Sequence, residues 1–229
     1  VMSEYLNEVS AFVADTNYSN LPSAATDRGR RVVADTIAAI ACGSAEPEVV
    51  ALLGRMVKSD GPSSIIGTGR SSDPGTAAFL NGTAGTFLEL DEGNQFSRGH
   101  PGIHAVPSVL AVAELIEAEG QAFLTAMILG YEIGARIGIA AKILPTMHPH
   151  GTWGTVGSAV AVAKLMNASA NKIREVINVS STLGLATSRQ TMLQGGTVRN
   201  SFAGISGQMG VLVWDMVESG FTGEVDGLS

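Results

Sequence analysis

The spacing of small and apolar residues constrains this 229-residue chain more than any other feature. It carries 28 glycines, aromatic residues make up only 5%, and few windows show the alternating β-branched pattern of strands. Apolar residues recur instead at intervals of three and four, the period of a helix that buries one face. The fold class this predicts is all-α, a multi-helix domain over residues 1–229 in which glycine and alanine let helix backbones approach closely. No period of about 20–50 residues repeats.

The spacing predicts helices over Glu4 to Thr16, with Leu6, Val9 and Val13 on one face, and over Thr26 to Cys42, with Val33, Ile37 and Ile40. Glu48 to Lys58 is helical again. A polar connection from Gly61 to Pro74 carries one extended piece at Ser64 to Ile66. Further helices are expected over Gly75 to Leu90, Ile103 to Glu117, Ala122 to Lys142, Gly151 to Met166, Asn171 to Ser180 and Arg199 to Ser219, with Thr187 to Thr197 a loop. Ile103 to Glu117 is patterned by Val106, Leu110 and Ala113, with Glu114 and Glu117 on its wet side. Gly154, Gly157, Ala161 and Ala163 mark a face suited to close contact.

With 45% hydrophobic residues the chain can bury a sizeable core. A formal net charge of −7, with 14 scattered lysines and arginines, argues against a nucleic-acid partner. Cys42, the single cysteine, excludes an intrachain disulfide and reads as core within its apolar run. No basic-then-apolar leader opens the chain, and Glu132, Arg136 and Lys142 interrupt its most hydrophobic stretch, so the expectation is a cytoplasmic protein without a membrane partner.

All four histidines fall in two short segments, His100-Pro101-Gly102-Ile103-His104 and His148-Pro149-His150-Gly151, and each runs into a predicted helix. Imidazoles at helix starts combine proton transfer near neutral pH with anion-binding amides. His100 and His104 have the i,i+4 spacing of a metal pair, but no Glu follows His100 and Pro101 suits a first turn, so no metal is expected. In the second segment His148 is favoured over His150, and the hydroxyl- and glycine-rich entry containing Thr152 suits a carboxylate. Glu89 and Asp91, flanked by leucines at a predicted helix end, are candidates to orient a histidine or bind a polar group, while Glu92 reads equally well as a solvated turn. Arg199, after a glycine turn and before an apolar helix, can clamp a carboxylate with its planar fork.

Several stretches together resemble the MmgE/PrpD family, whose members include a methylcitrate dehydratase, cis-aconitate decarboxylase and iminodisuccinate epimerase. They are Asn81-Gly82-Thr83-Ala84 leading to the acidic cluster, His100-Pro101, Leu129-Gly130-Tyr131-Glu132 with Arg136, His148 to Ala163, and Gly220-Phe221-Thr222-Gly223. The resemblance implies a helical domain, a smaller α+β lid that would begin where this chain stops, a homodimer, and cofactor-free, metal-free chemistry. In that chemistry a base removes a proton α to a carboxylate. It implies catalytic roles for His148, His100, Asp91 and Glu89, and substrate contacts from Arg199, with His104, His150 and Thr152 in support. The sequence departs from the family's dehydratases and decarboxylase in carrying Glu89 for Asp, Gly93 near a Thr, Arg199 for Lys and Phe202 near a His. Arg199 therefore binds charge and does not shuttle protons.

The leading functional expectation is a lyase, either dehydratase or decarboxylase, acting on a small di- or tricarboxylate. One alternative is an epimerase or isomerase using the same proton abstraction. Another is a non-catalytic or split helical subunit that dimerises and needs a partner to complete the site; the chain would then be a fragment, a split subunit or a short paralogue.

Overall fold

A computed structural model describes residues 4–228, which form ten α-helices and one two-stranded hairpin. α1 (Glu4–Asp15) and α2 (Ser23–Gly43) are followed by α3 (Pro47–Met56), where Pro47 occupies a first turn that needs no amide from it. β1 (Ser63–Ile65) pairs antiparallel with β2 (Arg70–Ser72), Ser64 opposite Ser71. The remaining helices are α4 (Pro74–Gly85), α5 (Pro101–Leu115), α6 (Gly120–Ala140), α7 (Trp153–Leu165), α8 (Ala170–Thr182), the short α9 (Arg189–Leu193) and α10 (Phe202–Glu218). A 3-10 turn at Thr197–Ser201 leads into α10.

α7 lies at the centre, against α5, α6, α8 and α10, and every one of its residues except Lys164 is buried. A helix walled on all sides has no polar face, so its small side chains, not amphipathic spacing, admit the neighbours. At the crossing with α6, a methyl added to Gly130 would stand 2.5 Å from the Gly157 carbonyl oxygen. Leu6 and Val13 of α1, Val156 and Val160 of α7, Ile173 and Ile177 of α8 and Val213 of α10 form one apolar core. Val32, Val106, Val109, Met127 and Ala161 anchor a second between α2, α5, α6 and α7. Truncating the fully buried Ile173 or Ile177 to alanine would cost about 2–5 kcal/mol.

α6 is long and apolar enough to cross a membrane by length and hydropathy, but 56% of its most apolar window is buried inside the fold, where it faces α7. After α10 the chain turns back over α8, the Gly223 amide donating to Glu175 Oε1 at 2.6 Å and Arg174 Nη2 to the Val225 carbonyl at 3.0 Å.

The differences from the sequence reading have local causes. α5 is buried almost all round and not only along Val106 and Ala113, because it too is an inner helix, while Leu110, expected on the same stripe, is only half-buried; Glu114, expected on its wet side, accepts the Ser64 amide at 2.6 Å. The buried stripe of α2 runs through Val32, Thr36, Ala39, Ile40 and Gly43, so Ile40 is core as expected while Val33 and Ile37 lie one residue off, and Cys42 is turned outward, exposed and not core. α4 stops at Gly85, so Glu89 and Asp91 belong to a loop and not to a helix end. β2 was unforeseen because Arg70, Ser71 and Ser72 carry no apolar alternation, and α9 interrupts the expected 187–197 loop, started by Ser188 Oγ accepting the Gln190 amide.

Candidate active site

Two looped segments bring the histidines together. In the first, the Asn94 amide donates to the Gly99 carbonyl at 2.8 Å and Asn94 Oδ1 accepts the amides of Phe96 and Ser97, a closed turn that delivers His100 to the cap of α5. In the second, residues 147–151 are zipped to residues 185–188. The His148 amide donates to the Thr187 carbonyl at 2.9 Å, the Thr187 hydroxyl reaches the carbonyls of His148 (2.8 Å) and His150 (3.0 Å), and the Leu185 amide donates to the Gly151 carbonyl at 2.6 Å. The rings then pack edge to face around His150, whose centroid lies 4.7 Å from His148, 4.9 Å from His100 and 5.2 Å from His104.

Their hydrogen bonds set unlike protonation states. His100 Nδ1 stands 3.0 Å from Asp91 Oδ2 and 3.2 Å from the Asp91 carbonyl oxygen. Both neighbours are acceptors, so the ring proton sits on Nδ1 and Nε2 keeps the free lone pair; the Asp91 carboxylate also holds the His100 pKa above its ordinary value. His148 is the opposite case, because its Nδ1 accepts the His150 amide at 3.1 Å, which places the neutral ring's proton on Nε2. Burial, reinforced by His100 and Arg189, pushes its pKa down to about 4, so at neutral pH His148 is an uncharged N–H donor. His104, fully buried, donates from Nδ1 to the His100 carbonyl at 2.8 Å and is likewise pushed down to about 4 by burial. His150 is lowered well below the usual range by burial.

His100, His148 and His150 face a cavity of about 400 Å³. Three arginines, Arg98, Arg189 and Arg199, line the same space, with Met147 and Met192 among its apolar walls. Arg199 is 6% exposed, pairs with Glu89, and donates from Nη1 to Asn200 Oδ1 at 3.0 Å, while its buried Nε has no partner in the protein. The 3-10 turn before α10 holds it there: the Thr86 hydroxyl donates to the Asn200 carbonyl at 2.7 Å, tying that turn to the end of α4. Among the described residues no three His, Cys, Asp or Glu side chains group so as to hold a metal ion. The arrangement sets cationic side chains beside imidazoles of unlike protonation, the chemistry of anion binding and proton transfer.

Residues 7–228 match the MmgE/PrpD N-terminal domain. The chain belongs to the MmgE/PrpD family. It is 27% identical over 222 residues to the cis-aconitate decarboxylase-like protein oryM of Aspergillus oryzae, covering 90% of this chain and 46% of that protein. It is 23% identical over 226 residues to cis-aconitate decarboxylase of Aspergillus terreus, covering 94% and 46%. The chain therefore spans about half the length of the curated relatives it matches.

Within this MmgE/PrpD domain, the residues singled out from sequence do not all reach the cavity. His100, His148, His150, Glu89 and Arg199 line it. Asp91 is buried behind His100, and His104 lies beneath His150 with its Nε2 unpartnered. Thr152 borders a different depression and spends its hydroxyl on the Pro149 carbonyl at 2.5 Å. The start of α5 does not offer its Gly102 amide to a ligand, because Glu92 Oε1 already accepts it at 2.8 Å; Glu92 is no solvated turn. Arg98 and Arg189 were missed. Arg98 precedes Gly99-His100 directly, a signal that was available, whereas Arg189 reaches the site only through the pairing of residues 147 and 188.

Proposed function

We propose that this MmgE/PrpD domain carries the carboxylate-binding and proton-transferring wall of a lyase site for a small di- or tricarboxylate. The observation that carries the reading is the convergence of three arginines with two histidines of opposite character, one made basic by Asp91 and one held neutral by burial. Arg98, Arg189 and Arg199 hold carboxylates. His100 Nε2 takes the proton α to a carboxylate, and the imidazolium formed is stabilised by Asp91. His148 Nε2–H donates a hydrogen bond to the oxygen that gains charge, as a neutral electrophile.

In a dehydration, the C–H electron pair becomes the new double bond as the β C–O bond breaks, and the His100 imidazolium returns its proton to the departing hydroxide. In a decarboxylation no α proton is removed: His100 starts as the imidazolium that Asp91 favours, the electron pair of the C–C bond stays with the substrate as carbon dioxide leaves, and His100 Nε2–H protonates the carbanion, leaving the neutral ring. The names of the matched relatives make cis-aconitate the first substrate to try. The test is proton NMR in deuterium oxide with cis-aconitate and hydroxylated tricarboxylates. Loss of carbon dioxide or water supports the lyase reading; deuterium entering recovered substrate with neither loss makes the chain an epimerase instead. Activity that appears only on mixing with a co-purified partner assigns it to a split enzyme.

A further inference from the structure

Glu92 does not line the cavity but borders a separate depression with Tyr131, and the proposed chemistry does not use it. Its carboxylate is nevertheless fully engaged. Oε1 accepts the Gly102 amide at 2.8 Å in the first turn of α5, and Oε2 accepts the Tyr131 hydroxyl of α6 at 3.2 Å. The same hydroxyl accepts from Asn94 Nδ2 at 3.2 Å, and Asn94 closes the turn that delivers His100. A helix start favours an anion, and here the protein supplies its own, Glu92, at the amide of Gly102, two residues beyond His100. A methyl on Gly102 would stand 3.0 Å from Glu92 Oε1, so the fit leaves no room to spare.

We propose that Glu92 is a positioning residue for His100: gripped by Tyr131, its carboxylate fills the anion place at the start of α5 and fixes the imidazole that Asp91 orients. The proposal rests on the base role given to His100 above. Three consequences follow from the contacts. The cap holds the backbone that carries His100 and, one turn on, His104, whose Nδ1 returns to the His100 carbonyl. The buried negative charge adds to that of Asp91 in favouring the protonated ring. Burial in turn raises the Glu92 pKa, against the Gly102 and Tyr131 hydrogen bonds that keep it ionised.

The charged and titratable groups around the pair are known. His100 faces Asp91, Glu92, His104, His148 and His150, with Glu89 and the arginines lining the same cavity, while Arg28, Arg31 and Asp35 of α2 border the outer depression that Glu92 shares with Tyr131. A pH dependence at His100 therefore has to be separated from these, which a charge-only substitution does. In Glu92→Gln the amide oxygen can still accept from Gly102 while the charge is gone.

The experiment titrates the ring signals of His100 by NMR in the 229-residue chain, with Glu92→Gln, Tyr131→Phe and Asp91→Asn beside the parent. Glu92→Gln is expected to lower the His100 midpoint by at least about half a pH unit, and Asp91→Asn by more, with the helical circular dichroism unchanged. Tyr131→Phe, which leaves the charge but loosens its grip, is expected to speed hydrogen exchange at the Gly102 amide. A His100 midpoint that does not move in Glu92→Gln, or Gly102 exchange unaffected by Tyr131→Phe, overturns the proposal. Neither readout needs turnover, so failure of the lyase reading in the substrate test above and failure of the positioning of His100 in these midpoints are told apart.

Discussion

Lowering the pH should destabilise this domain through its buried histidines, and the share due to His104 follows from its surroundings. His104 is fully buried, its Nδ1 proton is committed to the His100 carbonyl, and its Nε2 has no partner, so burial pushes its pKa from 6.5 down to about 4. The folded-state value is depressed, so between those limits the unfolded chain binds a proton that the folded chain refuses, and stability falls with pH. The penalty is absent above about pH 7, reaches about 2 kcal/mol near pH 5 and levels off at about 3 kcal/mol below pH 4. His104→Asn keeps a donor near the position of Nδ1 and removes the titration. It leaves a small void, but that cost is the same at every pH. Urea unfolding followed by far-ultraviolet circular dichroism at about pH 7.5 and about pH 5 measures both proteins. The stability lost on acidification should be about 2 kcal/mol smaller in His104→Asn than in the parent. Equal losses in the two would refute the reasoning, since they would mean that the buried ring titrates as it does in the unfolded chain. His100 works in the other direction: its raised pKa stabilises the fold at acidic pH, and that contribution disappears as pH rises through its folded value.

Other expectations concern single side chains. Arg199→Ala should weaken binding of a tricarboxylate roughly 10- to 100-fold, as loss of one charge-assisted contact does, with the fold intact by circular dichroism; unchanged affinity in calorimetry would remove Arg199 from the site. His148→Ala should lower kcat about 100-fold in the active enzyme while leaving the helical signal intact, and an active variant would end its role as donor. Gly154→Ala should lower Tm by at least about 2–4 °C, because the added methyl would clash with His104 Cδ2; an unchanged Tm would show that α7 and α5 can part at little cost.

The helices were legible because three- and four-residue spacing survives wherever a helix keeps one wet side, as in α1 and α8. α5 and α7 lack that side, and their small residues gave them away instead. The meeting of the two histidine segments was also visible, since four imidazoles concentrated in so few residues leave few other arrangements. What sequence could not supply was the sorting of roles. Glu89, Asp91 and Glu92 stand within four positions, yet one pairs with Arg199 at the cavity rim, one orients His100 from below and one caps α5. That division depends on the left-handed turn at Glu89, φ +56°, and on where Tyr131 of α6 falls, both tertiary facts. Arg189 escaped notice for the same reason, being brought in by a pairing across some forty residues of chain. Likewise the tautomers of His100 and His148 follow from single backbone and carboxylate contacts that no motif encodes.

The most direct test of the site follows the histidine ring signals by NMR while citrate is titrated into the chain at neutral pH. A saturable shift of the His100 and His148 signals, with His104 little affected and the response weakened in Arg199→Ala, is the predicted result. Rings that ignore the tricarboxylate, or that respond equally with and without Arg199, would contradict the claim that these residues form one carboxylate-handling site.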